Sequence, residues 1–118
     1  MDGEIDPEDV QALLETPQPP RIVDIRSKAA FTREHIPGSD NIPFATLPQQ
    51  IEQLRDADRI VTVCPHGKAS IQAARLIKSY EGTTNARVES MRGGLSAWPG
   101  ELEPTVEQAV EDGPESPF

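Results

Sequence analysis

The chain has 118 residues, of which 36% are hydrophobic, and its 20 acidic against 11 basic side chains leave a net charge of −9. That length suits one domain with a small sheet-and-helix core, and the acid excess leaves no basic stripe to neutralise phosphates, so nucleic acid is excluded as a partner. A single cysteine rules out an intrachain disulfide and a cysteine zinc site. This suits a reducing compartment, and the expectation is a protein with no metal and no cofactor.

No apolar run approaches the ~20 residues of a membrane span, and the opening Met1-Asp2-Gly3-Glu4 is acidic where a signal peptide would be basic. The expectation is a cytoplasmic protein with no membrane partner. Arginine outnumbers lysine eight to three, and acids are scattered over every predicted surface, a balance compatible with solubility in high salt.

In chain order, Glu4-Ile5 reads as a brief edge strand. Asp6-Pro7-Glu8-Asp9 then has a residue able to cap, a proline suited to the first helical position and acids suited to the helix dipole. Val10, Leu13 and Leu14 form one face of that helix, and Pro17, Pro19 and Pro20 stop it. Arg21 to Ile25 is a short apolar strand. Arg26 to His35 reads as loop and short helix, and Ile36-Pro37-Gly38 as a turn. A short strand at Asn41-Ile42-Pro43 precedes a helix from Leu47 to Leu54, whose Leu47, Ile51 and Leu54 share a face.

The run Ile60-Val61-Thr62-Val63 is a buried strand. It ends in Cys64-Pro65-His66-Gly67-Lys68-Ala69-Ser70, after which Ile71, Ala73, Ala74, Leu76 and Ile77 recur at helical spacing up to about Tyr80. The only cysteine thus stands where a strand turns into a helix. Such a loop presents unpaired N–H groups and the positive end of a helix dipole, which hold anions and favour a thiolate over the free thiol with its pKa of about 8.5. Ala86 to Ser90 offers a last strand, Met91 to Gly94 a turn, and Leu95, Ala97 and Trp98 one helical turn ended by Pro99-Gly100. Residues 1–100 read as the domain. Residues 101–118, with six acids, no base and three prolines, read as a flexible tail in which Val106 and Val110 anchor at most a weak helix. Strands separated by helical patterns point to an α/β fold of three layers, a mostly parallel sheet of four to five strands with helices on both faces.

Three groups of residues, matching in order and spacing, give the chain a resemblance to the single-domain rhodanese (thiosulfate sulfurtransferase-like) family over roughly residues 4–100. They are Val23-Asp24-Ile25-Arg26 with Phe31, His35-Ile36-Pro37-Gly38 and Asn41-Ile42-Pro43; the Cys64 loop; and Gly93-Gly94-Leu95 with Ala97-Trp98. The resemblance implies a rhodanese-like fold and a sulfurtransferase. Cys64 would be the nucleophile, taking a sulfane sulfur from a donor such as thiosulfate and passing it to an acceptor such as cyanide, a thiol or a protein. Pro65, His66, Gly67, Lys68, Ala69 and Ser70 would form the anion-binding loop, with Asp24, Arg26 and His35 in support. The chemistry fits the loop, because a thiolate attacking an anionic donor needs positive potential and the persulfide needs N–H donors. Gly67 lets the backbone curl inward, the Ser70 hydroxyl can reach the loop or the sulfur, and Lys68 and a protonated His66 add charge.

The loop departs from the commonest family pattern, C-x-x-G-x-R-S, by having Ala69 at the Arg position. In this it resembles single-domain members with C-x-H-G-x-S-S loops. Ala30 stands where an acid usually pairs with the D-x-R arginine, and Glu34, which replaces a glycine, is expected to supply that charge to Arg26. Other readings stay open. Asp24 and His35 read as hydrogen-bonded supports of the fold, Arg26 equally as a surface ion pair or a site-edge cation, His66 as a shaper of the loop, and Trp98 as core. At the level of function, a non-catalytic partner-binding module is the alternative. A phosphatase or arsenate reductase on the related fold is poorly supported, since C-x5-R would need arginine at Ser70.

Overall fold

The computed structural model describes residues 1–105. Five strands, β1 (Glu4–Ile5), β2 (Arg21–Asp24), β3 (Asp40–Asn41), β4 (Arg59–Val63) and β5 (Arg87–Met91), form one sheet in the order β1-β5-β4-β2-β3. Every pairing is parallel. The central strands β2 and β4 are nearly continuous in Ile and Val because both faces are covered, as a parallel sheet requires. Four helices alternate with the strands: α1 (Pro7–Leu14), α2 (Lys28–Arg33), α3 (Leu47–Gln50) and α4 (Ala69–Ser79).

The sheet divides the core in two. On one face Val23, Ile25, Ile60, Cys64 and Val88 pack against Leu47 of α3, Leu54, and Ala73, Ala74 and Ile77 of α4. On the other, Ile22, Val61, Val63 and Met91 pack against Val10 of α1 and Ile36, with Leu95, Trp98 and Leu102 partly buried beside them. The two alanines on α4 let it approach the sheet closely where β4 meets β5.

Several local expectations take a different form. The helix over Leu47–Leu54 is α-helical only to Gln50 and continues as a 3-10 turn over Ile51–Leu54. Leu47 and Leu54 stay fully buried. Asp6 stands at the N-terminus of α1 without a side-chain cap, because its carboxylate is drawn to the Arg92 guanidinium. Trp98 is half-buried rather than enclosed. Beyond Gly100 the chain is tied back: Glu103 and His35 exchange both backbone N–H···O bonds at 2.9 Å, and Thr105 N–H donates to Thr32 C=O at 3.0 Å. Val106 and Val110, expected to anchor a weak helix, lie outside the described residues. No helix among the described residues is long and apolar enough to cross a membrane.

Candidate active site

Cys64 immediately follows β4, at the carboxyl edge of the sheet, and only 2% of it is exposed. The loop after it curls back over its own sulfur before entering α4. Cys64 Sγ accepts the N–H of Gly67 at 3.0 Å and of Ser70 at 3.3 Å, and lies 3.3 Å from Ser70 Oγ. Burial pushes the thiol up. The Ser70 hydroxyl and the N–H groups of Ser70, His66 and Gly67 outweigh it, so the thiol sits below its ordinary value. Two backbone N–H groups aim at the sulfur, and the Ser70 hydroxyl, which can accept from the neutral thiol, can turn to donate once the sulfur is ionised; together they favour a negative sulfur.

Two glycines make the curl possible. Gly67 has φ +84°, and a Cβ there would lie 2.7 Å from the Gly93 nitrogen. Gly94, at φ +64°, is more constrained, since its Cβ would fall 2.3 Å from the Cys64 carbonyl oxygen and 2.6 Å from the His66 nitrogen. The turn after β5 therefore lies backbone against backbone on the cysteine loop. Leu95 N–H donates to Cys64 C=O at 2.9 Å and Ser96 N–H to Pro65 C=O at 3.1 Å, which fixes the loop from outside. The glycine pair and the cysteine loop, 26 residues apart at Gly93 and Gly67, are one structural unit.

Pro65, His66, Lys68 and Ala69 are exposed, while Gly67 and Ser70 are buried. Lys68 has no ion-pair partner among the described residues. Ala69 is the first residue of α4, so its methyl leaves the loop mouth without the guanidinium that the commoner pattern would place there.

Asp24, Arg26 and His35 make no hydrogen bond to Cys64 or to residues 65–70 among the described residues. Asp24 has the parity of Ile22 along β2 and therefore belongs to the α1 face, whereas Cys64 packs with the α4 face. Its carboxylate, 1% exposed, accepts from Arg26 N–H, Nε and an Nη, all within 3.2 Å. The same guanidinium donates to the Glu34 backbone carbonyl at 2.7 Å. The charge for Arg26 thus comes from Asp24, and Glu34 contributes its backbone rather than its carboxylate. Asn41 closes the knot by donating to the carbonyls of Asp24 and Arg26. His35 stacks on Phe31 at 3.8 Å and bonds Phe31 C=O through Nδ1, so it supports α2 and the chain at Glu103.

Two residues that the sequence reading passed over lie behind the cradle. Thr62 Oγ1 donates to Ser70 C=O at 2.7 Å, and Ser90 Oγ is 2.7 Å from Ser70 Oγ. Both are fully buried and face each other across β4 and β5. Thr62 stands within the apolar run of β4, and Ser90 stands between Glu89 and Met91 on β5, where only the pairing of the two strands sets it opposite Thr62.

A cleft of about 640 Å³ opens beside α2, lined by Phe31, His35, Asn41, Gln50 and Glu103 among others, and includes none of residues 64–70. Cavity size therefore does not point to the cysteine. The donor geometry around Sγ does.

The chain is similar to known proteins along most of its described length. A family profile described as rhodanese-like domain matches residues 6–101. The chain is 36% identical over 95 residues to thiosulfate sulfurtransferase GlpE of Pseudomonas syringae pv. syringae, spanning 80% of this chain and 84% of that protein. It is 40% identical over 79 residues to the protein of the same name from Shewanella oneidensis, spanning 66% and 74% respectively. The crystal structure of a rhodanese-like domain protein from Staphylococcus aureus superposes with a TM-score of 0.73 at 23% identity, covering 88% of this chain and 98% of that one, a likeness of fold.

Proposed function

Because this chain belongs to the rhodanese-like domain family, we propose that it is a sulfurtransferase in which Cys64 carries the transferred sulfur as a persulfide. The observation that carries the reading is the cradle: a buried sulfur facing the N–H groups of Gly67 and Ser70 and the Ser70 hydroxyl, with its thiol held below the ordinary value.

In the first half-reaction the Cys64 thiolate attacks the outer, sulfane sulfur of thiosulfate. A new S–S bond forms, the old one breaks, and sulfite leaves with its electron pair. The charge then sits on the terminal sulfur of Cys64–S–S⁻. The N–H groups of the loop and the N-terminus of α4 supply the positive potential for this anion without an arginine at position 69. In the second half-reaction a nucleophile such as cyanide or a thiol attacks the terminal sulfur, and the Cys64 thiolate is restored as leaving group. Donor and acceptor are small molecules in this scheme, and a protein thiol would serve equally as acceptor because Pro65, His66 and Lys68 stand exposed around the loop.

The test is the intact mass of the purified protein after thiosulfate, before and after cyanide. A gain of one sulfur atom, lost on adding cyanide and absent in Cys64→Ser, is the expected result. No mass change, with the protein folded, would overturn the reading and leave a partner-binding domain.

A further inference from the structure

The α4 face of the neighbouring strands β4 and β5 is apolar at Ile60 and Val88, and at Cys64 just past β4. Two hydroxyls interrupt it, Thr62 and Ser90, which are register partners on β4 and β5 and fully buried. Polar side chains persist in such a place only when they are hydrogen-bonded. Both bond to the same residue. Thr62 takes the Ser70 carbonyl at 2.7 Å, and since a carbonyl only accepts, Thr62 must donate. Ser90 Oγ lies 2.7 Å from Ser70 Oγ and has no other side-chain hydrogen bond among the described residues.

The position of Ser90's proton follows. If Ser70 donated to Ser90, the Ser90 hydroxyl proton would be buried with no acceptor among the described residues. If Ser90 donates instead, its proton is satisfied and Ser70 keeps its own proton for the atom on its other side, Cys64 Sγ at 3.3 Å; the neutral thiol can donate to Ser70 Oγ across that contact, but the thiolate has no proton and can only accept. The resulting chain, Ser90 O–H to Ser70 O–H to sulfur, has a donor at every link and ends on an anion. In a chain of this kind each bond polarises the next.

We infer that Ser90 is a positioning residue for Cys64, acting through Ser70, whose hydroxyl it turns so as to donate to the sulfur. The inference rests on the reading of Cys64 as the reactive thiolate. Ser90 itself makes no hydrogen bond to Cys64 or to the loop backbone among the described residues. Its influence is on the thiolate, and equally on any state of the sulfur that carries negative charge.

The experiment is the pH dependence of Cys64 ionisation, followed by thiolate absorbance and by alkylation with iodoacetamide. With one cysteine in the chain the signal has a single source. Neither readout needs a sulfur donor, so a failure of sulfur transfer and a failure of this inference are separable. Ser90→Thr keeps the hydroxyl and should titrate like wild type. Ser90→Val has the same shape without it, and should titrate higher, leaving about three- to tenfold less thiolate at a pH below the midpoint. Ser90→Ala should follow Ser90→Val. In a Ser70→Ala background the Ser90 substitutions should have no further effect, because the link to sulfur is already gone. Equal titration of Ser90→Thr and Ser90→Val overturns the inference, as does an equal shift from Ser90→Val with and without Ser70.

Discussion

Cys64 gives up water for four donors, and the balance sets how readily it ionises. Burial alone would raise the thiol, but the Ser70 hydroxyl and the N–H groups of Ser70, His66 and Gly67 bring it below its ordinary value. A group whose folded pKa is depressed stabilises the fold fully above its unfolded value, and that contribution is lost as pH falls through the folded one. The wild type should therefore gain stability over Cys64→Ser as pH rises from the depressed folded value to the ordinary thiol value of about 8.5, and hold a constant lead above it. Denaturant melts of the two proteins across this window check the sign, and a lead that shrinks with rising pH would refute the thiolate cradle. Lys68 belongs to the same scale with a smaller effect. Its side chain is exposed and unpaired among the described residues, so its pull on a thiosulfate dianion is screened and worth about 0.2–1 kcal/mol. Lys68→Ala should lower kcat/KM for thiosulfate by up to about fivefold at low salt, and by less at high salt as screening grows. An unchanged rate at low salt would mean that the backbone donors and helix dipole alone attract the anion.

The unit that holds the cysteine consists of two turns, and each was legible in the sequence only separately. An apolar run ending in Cys64 and followed by helical spacing marks a strand, loop and helix, and these elements stand where expected. The parallel sheet was readable in the same way, from strands alternating with helical patterns. What the sequence could not display is that Gly94 exists for the sake of Cys64, since their contact is between backbones and leaves no chemical trace beyond a missing Cβ. The face of the sheet to which Asp24 belongs was hidden too, because a strand buried on both sides has no polar alternation from which to count. Ser90 was silent for a related reason: a hydroxyl within a strand declares itself only once its neighbour across the sheet is known. Gly94→Ala tests the joined turns. The left-handed φ of +64° costs an alanine about 1–2 kcal/mol, and the methyl would also collide with the Cys64 carbonyl, which cannot retreat without breaking its bond to Leu95. The variant should lose more than about 2 kcal/mol of stability and most of its sulfur transfer. Near-normal values for both would show that the turns are free to separate.

At the scale of the whole molecule the question is where the folding unit ends. The acidic balance falls mostly on the last residues, which read from composition alone as a tail, yet the chain from Leu102 to Thr105 is engaged with the domain. Leu102 packs on the α1-side core. Glu103 shares two backbone bonds with His35, a residue itself held by Phe31, and Thr105 bonds Thr32. This short segment links α2 to the layer under α1, a link the sheet itself does not make, since β3 has only two residues and lies at the edge. Two truncations separate the parts. Ending the chain at Thr105 removes four acids and no base while keeping every one of these contacts, and should leave melting temperature and sulfur transfer near those of the full chain. Ending it at Gly100 removes a partly buried leucine and three backbone hydrogen bonds. At about 0.5–1.5 kcal/mol for each bond and about 1 kcal/mol for the partial burial, the loss should be about 2.5–5.5 kcal/mol. Because Cys64 lies on the opposite face of the sheet from Leu102, the shorter protein should still form the persulfide at temperatures where it remains folded. Equal stability of the two truncations would place the end of the folding unit before Glu101.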